Sequence, residues 1–395
     1  MSAVRPHAAP WTRIPLAGGG EETLLSEVGA QYLLPLFTTA EACALRLVCR
    51  EFRAAVSEQP WEDRRTVIQG SIAAWRACFP RARCANVQEG WWHTPRQRAV
   101  PVVDADFVHF EGLRELYMTG CMSITDAAFV HLRGIRTLDM DGCDQAGITD
   151  AAFAHLRGIH TLSMRACRQT DAAFIHLRGI HALSMGSCSQ ITDAAFKHLR
   201  GIQTLDMSEC SQAGITDAAF AHLRGVHELD MSYCSQAGIT DAAFAHLLGI
   251  HTLNMAHCSQ PTITDTAFAH LAGIHDLDMS FCSQEGITDA AFAHLRGIHT
   301  LSIWDCKQAG ITDAAFAHLR GIHTLDMHGC SQVGITDAAI EHLRGIHRLY
   351  MNCCDQAGIT AAAFAHLRGV RTLEVQLCSP VCVAAARALG LPAIE

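Results

Sequence analysis

The chain has 395 residues, 49% of them hydrophobic and 17% charged, enough apolar content for a sizeable core and too much for a disordered or collagen-like chain. Lys and Arg number 30 against 39 Asp and Glu, a formal net charge of −9 that argues against a general phosphate-backbone binder. No apolar run approaches the ~18 residues of a membrane-spanning helix.

Residues 1–20 read as a disordered tail, with Pro6, Pro10 and the run Gly18-Gly19-Gly20. The tail lacks a charged-then-apolar leader, so a reducing compartment is expected, cytosol or nucleus, with the 18 cysteines as free thiols.

Residues 21–61 form a helical unit. Thr38-Thr39-Ala40-Glu41 reads as a break followed by a helix start. Leu45, Val48, Cys49, Phe52 and Val56 then follow helical spacing. Leu47-Val48-Cys49-Arg50-Glu51-Phe52-Arg53 resembles the F-box signature, with Trp61 where that motif closes and Glu27-Val28, Leu33, Leu34, Leu36 and Phe37 in the place of its first helix. The sequence departs from the F-box pattern at Leu25, Gly29 and Pro35.

Residues 62–101 read as a linker and N-terminal cap. Ala74–Pro80 is expected to be a helix and turn, and Ala82, Ala85 and Val87 a cap strand. Pro101–Phe110 is a diverged copy of the helix that follows in every repeat.

From 102 to 378 one pattern recurs, ITDAAFAHLRGIHTLDM-x-x-C-SQAG, with twelve marker cysteines from Cys121 to Cys378, mostly 24 residues apart. Thr-Leu-Asp-Met alternates polar and apolar residues and predicts a short strand with Leu and Met inward. Thr is an N-cap, and the Asp after it suits the positive end of its helix. Phe and Leu share the helix's buried face, and Gly134 and its equivalents end it in a left-handed conformation. One unit cannot bury its own apolar face, but stacked units can. The segment resembles the cysteine-containing leucine-rich repeats. The expected fold is therefore an α/β solenoid: a curved array of about twelve units, strands inside and helices outside, preceded by a small all-α F-box-like domain. Cys167-Arg168-Gln169-Thr170 marks a tighter loop, and Ala361 in place of Asp weakens one cap. Residues 379–395 form a C-terminal cap, with a helix over Val383–Leu391.

The cysteines arrive one per unit and inward, a structural pattern rather than the paired spacing of a zinc site. The 24 histidines recur at two places in the unit, in the helix and before the strand; copying explains them as polar residues of the repeat edge, with pH sensing as the alternative. No motif calls for a catalytic residue, a cofactor or a metal.

Recognition is expected where copies differ. The outward strand position carries a broken acidic line, including Asp206, Asp230 and Asp278. The two positions before the marker Cys bring Tyr233, His257, Phe281 and Trp304. In the same units Leu248 and Ala272 replace an Arg, so aromatic anchors would meet fewer cations. Drift among copies, or rings packing on neighbouring loops, is the alternative.

The two resemblances together imply a substrate receptor of an SCF-type cullin ubiquitin ligase, not an enzyme itself. The F-box would dock a Skp-family adaptor, and through it the cullin, by Leu33, Leu34, Leu36, Leu45, Val48, Cys49 and Phe52. The repeats would bind a protein substrate, with no nucleic acid or membrane as partner. The competing reading is a repeat scaffold unconnected with ubiquitin, its N-terminal segment serving as an end cap.

Overall fold

The computed structural model describes residues 32–90 and 100–389. The expectations placed on residues 1–20, on Leu25, Glu27, Val28 and Gly29, and on Leu391 lie outside them.

Thirteen parallel strands, β1 (Cys84–Asn86) to β13 (Thr372–Glu374), form one open curved sheet in strict chain order. Each strand is three residues long with the central residue buried. In β7 (Glu228–Asp230) and β8 (Thr252–Asn254) the central leucines, Leu229 and Leu253, are in register. The ladder runs past the strands: Met231 N–H donates to the Asn254 carbonyl and Tyr233 N–H to that of Ala256, both at 2.8 Å.

The return path is a single helical turn. In the unit of Thr216, the hydroxyl accepts the Ala218 N–H at 3.3 Å, as its sequence predicts. Ala219 and Phe220 then face the core, and Gly225 closes the turn at φ +83°. Phe220, Leu223, Val226, Leu229 and Met231 are all buried, and stacked copies make one continuous core. Burial stabilises by about 1.5–3 kcal/mol per large side chain, available only when neighbours cover both sides of the unit.

The aspartate after Thr does not act mainly on its own helix. Asp217 accepts both the backbone N–H and the hydroxyl of Thr240 in the next unit, each at 2.7 Å. The clasp begins with Asp104, within Pro101–Phe110, on Thr125, and ends with Asp337 on Thr360. At Ala361 the turn carries no acidic residue and its helix starts only at Ala363, although Thr360 still accepts the Ala362 N–H at 3.2 Å. No equivalent Thr follows, so an Asp there would have nothing to clasp.

The marker cysteines do a second job besides packing. Cys258 Sγ donates to the Met231 carbonyl at 3.1 Å and Cys282 Sγ to that of Met255 at 3.2 Å. The thiol is a second donor to a carbonyl that already accepts a backbone N–H within its own unit, as Met231 does from Cys234 at 3.1 Å. Beside it, Gln260 and Gln284 donate their amides to the Cys234 and Cys258 carbonyls at 2.7 Å. In the shorter Cys167 loop, Gln169 occupies the buried place before Thr170 that Ile191 fills in the next unit.

The N-terminal segment packs onto this array. Thr38 and Glu41 form a capping box at the helix Thr39–Leu45. Cys49 caps the helix Arg50–Glu58. Trp61 joins the two parts: its indole N–H donates to the Val56 carbonyl at 2.8 Å, and its ring meets Phe79 edge-on at 5.6 Å. Asp63 accepts from the Thr39 N–H at 2.6 Å. The cap strand is β1, with Ala85 in register with Leu116. At the far end the helix runs Pro380–Ala388, starting ahead of Val383 because Ser379 caps it and Pro380 suits its first turn.

Candidate recognition surface

Exact repetition turns one side chain into a ladder, and three ladders follow. The first lies before the strands. His227, His251, His275, His299, His323 and His347 stack face to face with ring centroids 4.3–4.7 Å apart. His160 and His181 form a separate pair at 4.6 Å. The second ladder joins the helix side of successive units, where Arg200 Nε donates to His222 Nδ1 at 3.4 Å and Arg296 Nε to His318 Nδ1 at 3.3 Å. The histidines therefore have partners in both places.

The third ladder follows the strands and holds the aromatic residues singled out by the sequence. Tyr233 stacks on His257 at 4.2 Å, and His257 on Phe281 at 4.2 Å. Phe281 meets Trp304 at 5.0 Å and a tilt of 51°. Trp304 continues to His328 at 5.4 Å, an extension the sequence reading did not name. The signal was there: His328 occupies the same place in its unit as Trp304. Tyr233 is 51% and Trp304 44% exposed, and His257 and Phe281 between them are half-buried. Backbone conformation aims it. Tyr233, His257 and Phe281 have φ of +58°, +57° and +57°. Ala166, Glu209 and Leu377 share that conformation at the same turn, so it belongs to the repeat and not to recognition.

The acidic line is more engaged than expected. Asp206 accepts from the Ser208 N–H and hydroxyl, from the Ser184 hydroxyl, and from Arg165 at 2.6 Å. Burial raises its pKa, but these partners outweigh burial and leave it lowered. Asp230 accepts from Ser232 and Asn254, and Asp278 from the Ser280 N–H and hydroxyl. These carboxylates first of all hold the turn that bears the rings. Leu248 and Ala272 do not border the aromatic row: they precede the strands, and the rings follow them. Their effect falls on the second ladder, which lacks the arginine rung at each of those units.

The N-terminal residues divide. Leu34 is buried in the core and Leu45 packs against it, so neither presents an open face. Cys49 and Phe52 are half-buried. Leu33, Leu36 and Val48 are exposed, at 46%, 78% and 66%, and are joined by Leu47 at 82%, which the sequence reading left out of the docking set.

Burial pushes the thiols of Cys143, Cys188, Cys210, Cys258 and Cys306 up to about 12, which removes them from thiolate chemistry near neutrality. No helix among the described residues is long and apolar enough to cross a membrane.

No family model and no curated protein matches this chain. Solved structures do. The chain is similar to Toll in the Drosophila Toll–Spätzle complex, with 13% identity and a TM-score of 0.58 over 80% of this chain and 46% of that one. It is similar to an internalin, InlF, from Listeria monocytogenes, with 18% identity and a TM-score of 0.56 over 75% of this chain and 81% of that one. It is also similar to TLR13 in complex with the RNA ssRNA13, with 14% identity and a TM-score of 0.53 over 77% and 51%. The chain thus spans about half the length of the Toll and TLR13 chains. At these identities the likeness is one of fold, and the fold is the leucine-rich-repeat solenoid.

Proposed function

We propose that this chain is a non-catalytic receptor: its repeat array binds a protein, and its N-terminal helices dock an adaptor. The observation that carries the binding role is the continuous aromatic row from Tyr233 to His328. Aromatic rings held at low conformational cost on a rigid sheet edge are typical interface anchors. A protein partner suits the row better than RNA, because Asp206, Asp230 and Asp278 lie beside it in a chain of net charge −9. Among the structural neighbours, Toll is held in complex with Spätzle.

The finer reading is the substrate receptor of an SCF-type ubiquitin ligase. It rests on the F-box-like signature Leu47–Arg53 and on the exposed apolar group Leu33, Leu36, Leu47 and Val48, which no other part of the described chain covers. The receptor would act by proximity, raising the effective concentration of a substrate lysine near the charged enzyme. The test is co-purification of the full chain with a Skp-family adaptor, beside a Leu47→Asp/Val48→Asp variant. Adaptor binding by the parent and its loss in the variant support the ligase reading. No binding by the parent chain leaves the repeat scaffold, with the N-terminal helices as its end cap.

A further inference from the structure

We propose a transition-metal site, of the kind that takes Zn²⁺, formed by His251, His275 and Asp276 at the start of β8 and β9 (Asp276–Asp278). Its basis is separate from the receptor reading above. One ligand atom from each residue lies within 4.8 Å of the other two, the one such group of His, Cys, Asp or Glu among the described residues.

The repeat builds the site. Registration of the strands places the two imidazoles face to face, 4.6 Å between centroids and 13° from parallel. Their ring planes are nearly parallel, so the in-plane lone pairs do not converge as they stand, and one ring must turn out of the stack for the two to share an ion. The third ligand is an exception to the repeat. After the column histidines the chain has Thr252, Thr300 and Thr324, or Arg348, which offer no carboxylate. Glu228 has one, but it stands 3.9 Å from His227 Nδ1 and assembles no third ligand. Asp276 is the carboxylate that reaches the column, 3.0 Å from His275 Nδ1. A proton bridges that gap, and a metal ion in its place needs the two atoms to part slightly.

A tetrahedral Zn²⁺ sits about 2.0–2.1 Å from nitrogen and oxygen ligands, which places the ligands roughly 3.3 Å apart. The three residues need only side-chain rotation to reach that spacing. His275 and Asp276 have side chains 43% and 35% exposed, which leaves room for the turn, at the cost of a stacking contact with His251 or His299. Two imidazoles and a carboxylate are a donor set for Zn²⁺, Cu²⁺ or Ni²⁺ rather than for Mg²⁺ or Ca²⁺. Three protein ligands leave a fourth position open to water or to a side chain of a bound partner. The ion would also pin two adjacent units at the end of the strand opposite Phe281.

The test is calorimetric titration of the full, chelator-treated chain with ZnCl₂ at pH 7.5, beside Asp276→Asn and His275→Gln. Far-UV circular dichroism confirms that each variant is folded. The parent chain is expected to bind one Zn²⁺ that each variant binds at least ~10-fold more weakly, while His160→Gln at the separate pair behaves as the parent. Identical isotherms for parent and Asp276→Asn overturn the site. Equal loss in His160→Gln also overturns it, because binding then belongs to histidines in general. Cu²⁺ electron paramagnetic resonance on the parent alone gives a readout free of folding effects: coupling to two imidazole nitrogens is expected, and its absence refutes the assignment.

Discussion

Asp217 grips Thr240 twice, through the backbone N–H and through the hydroxyl, although 23 residues separate them. The pair is a bond between units, and in a solenoid such bonds set how far unfolding spreads. Asp217→Ala leaves the Thr240 N–H without its charged acceptor and is expected to cost about 2 kcal/mol, with urea unfolding as the measurement. Ala361→Asp is the control: with no equivalent Thr beyond it, stability should not rise. A gain from Ala361→Asp would show that the carboxylate acts on its own helix, and the clasp would lose its standing.

The turn before each marker cysteine holds a left-handed residue, and in the Cys167 unit that residue is Ala166 at φ +54°. A Cβ in this conformation costs roughly 1–2 kcal/mol, part of which glycine returns through its greater unfolded-state entropy. Ala166→Gly is expected to stabilise the array by about 0.5–1 kcal/mol, read as a higher melting temperature. Gly142 and Gly329 already fill the equivalent place, at +66° and +64°. A melting temperature lowered by the substitution would mean that the turn carries no such strain.

Much of this architecture is legible in the sequence because it is local or periodic. The strand of Leu229, the N-cap Thr216 and the inward Cys258 each follow from neighbours within a few residues. The Asp–Thr clasp, the histidine stacks and the Cys-to-carbonyl bonds were not legible. They join residues in different units, and their partners depend on the exact register of the strands. The same cause misplaced Leu248: it neighbours Tyr233 in its unit pattern but lies at the other end of the strand. Leu34 shows the remaining limit, since a helical apolar pattern marks one face without saying which residues the array then covers.

Thiol reactivity should separate the cysteines sharply. Cys353 is exposed, next to buried Cys354, whose pKa is raised by burial. Cys258 is buried and pushed up to about 12. Brief iodoacetamide treatment of the native chain at pH 8 should label Cys353 and leave Cys258 and Cys306 unmodified until denaturant is added, as peptide mass spectrometry will show. Labelling of Cys258 at the rate of Cys353 would mean that the core opens readily.

Acidification should weaken the array through histidines whose pKa the fold depresses. His323 lies between His299 and His347, with centroids at 4.4 and 4.3 Å. Its pKa is lowered, by desolvation first and then by those two rings, Arg348 and Arg371. His176 and His198 are lowered too, by burial and then by Arg157 and Arg178 respectively. A histidine depressed in the folded state takes up its proton more readily when unfolded. Its contribution is therefore complete at higher pH and is lost as pH falls through the unfolded value of about 6.5. The urea midpoint is expected to drop between pH 7.5 and 6.0, and to drop less in His323→Gln. Asp63 and Asp206 do not contribute there, because both are held below their ordinary pKa. A midpoint that rises or stays level over that window would show that the histidine column accepts protons without cost.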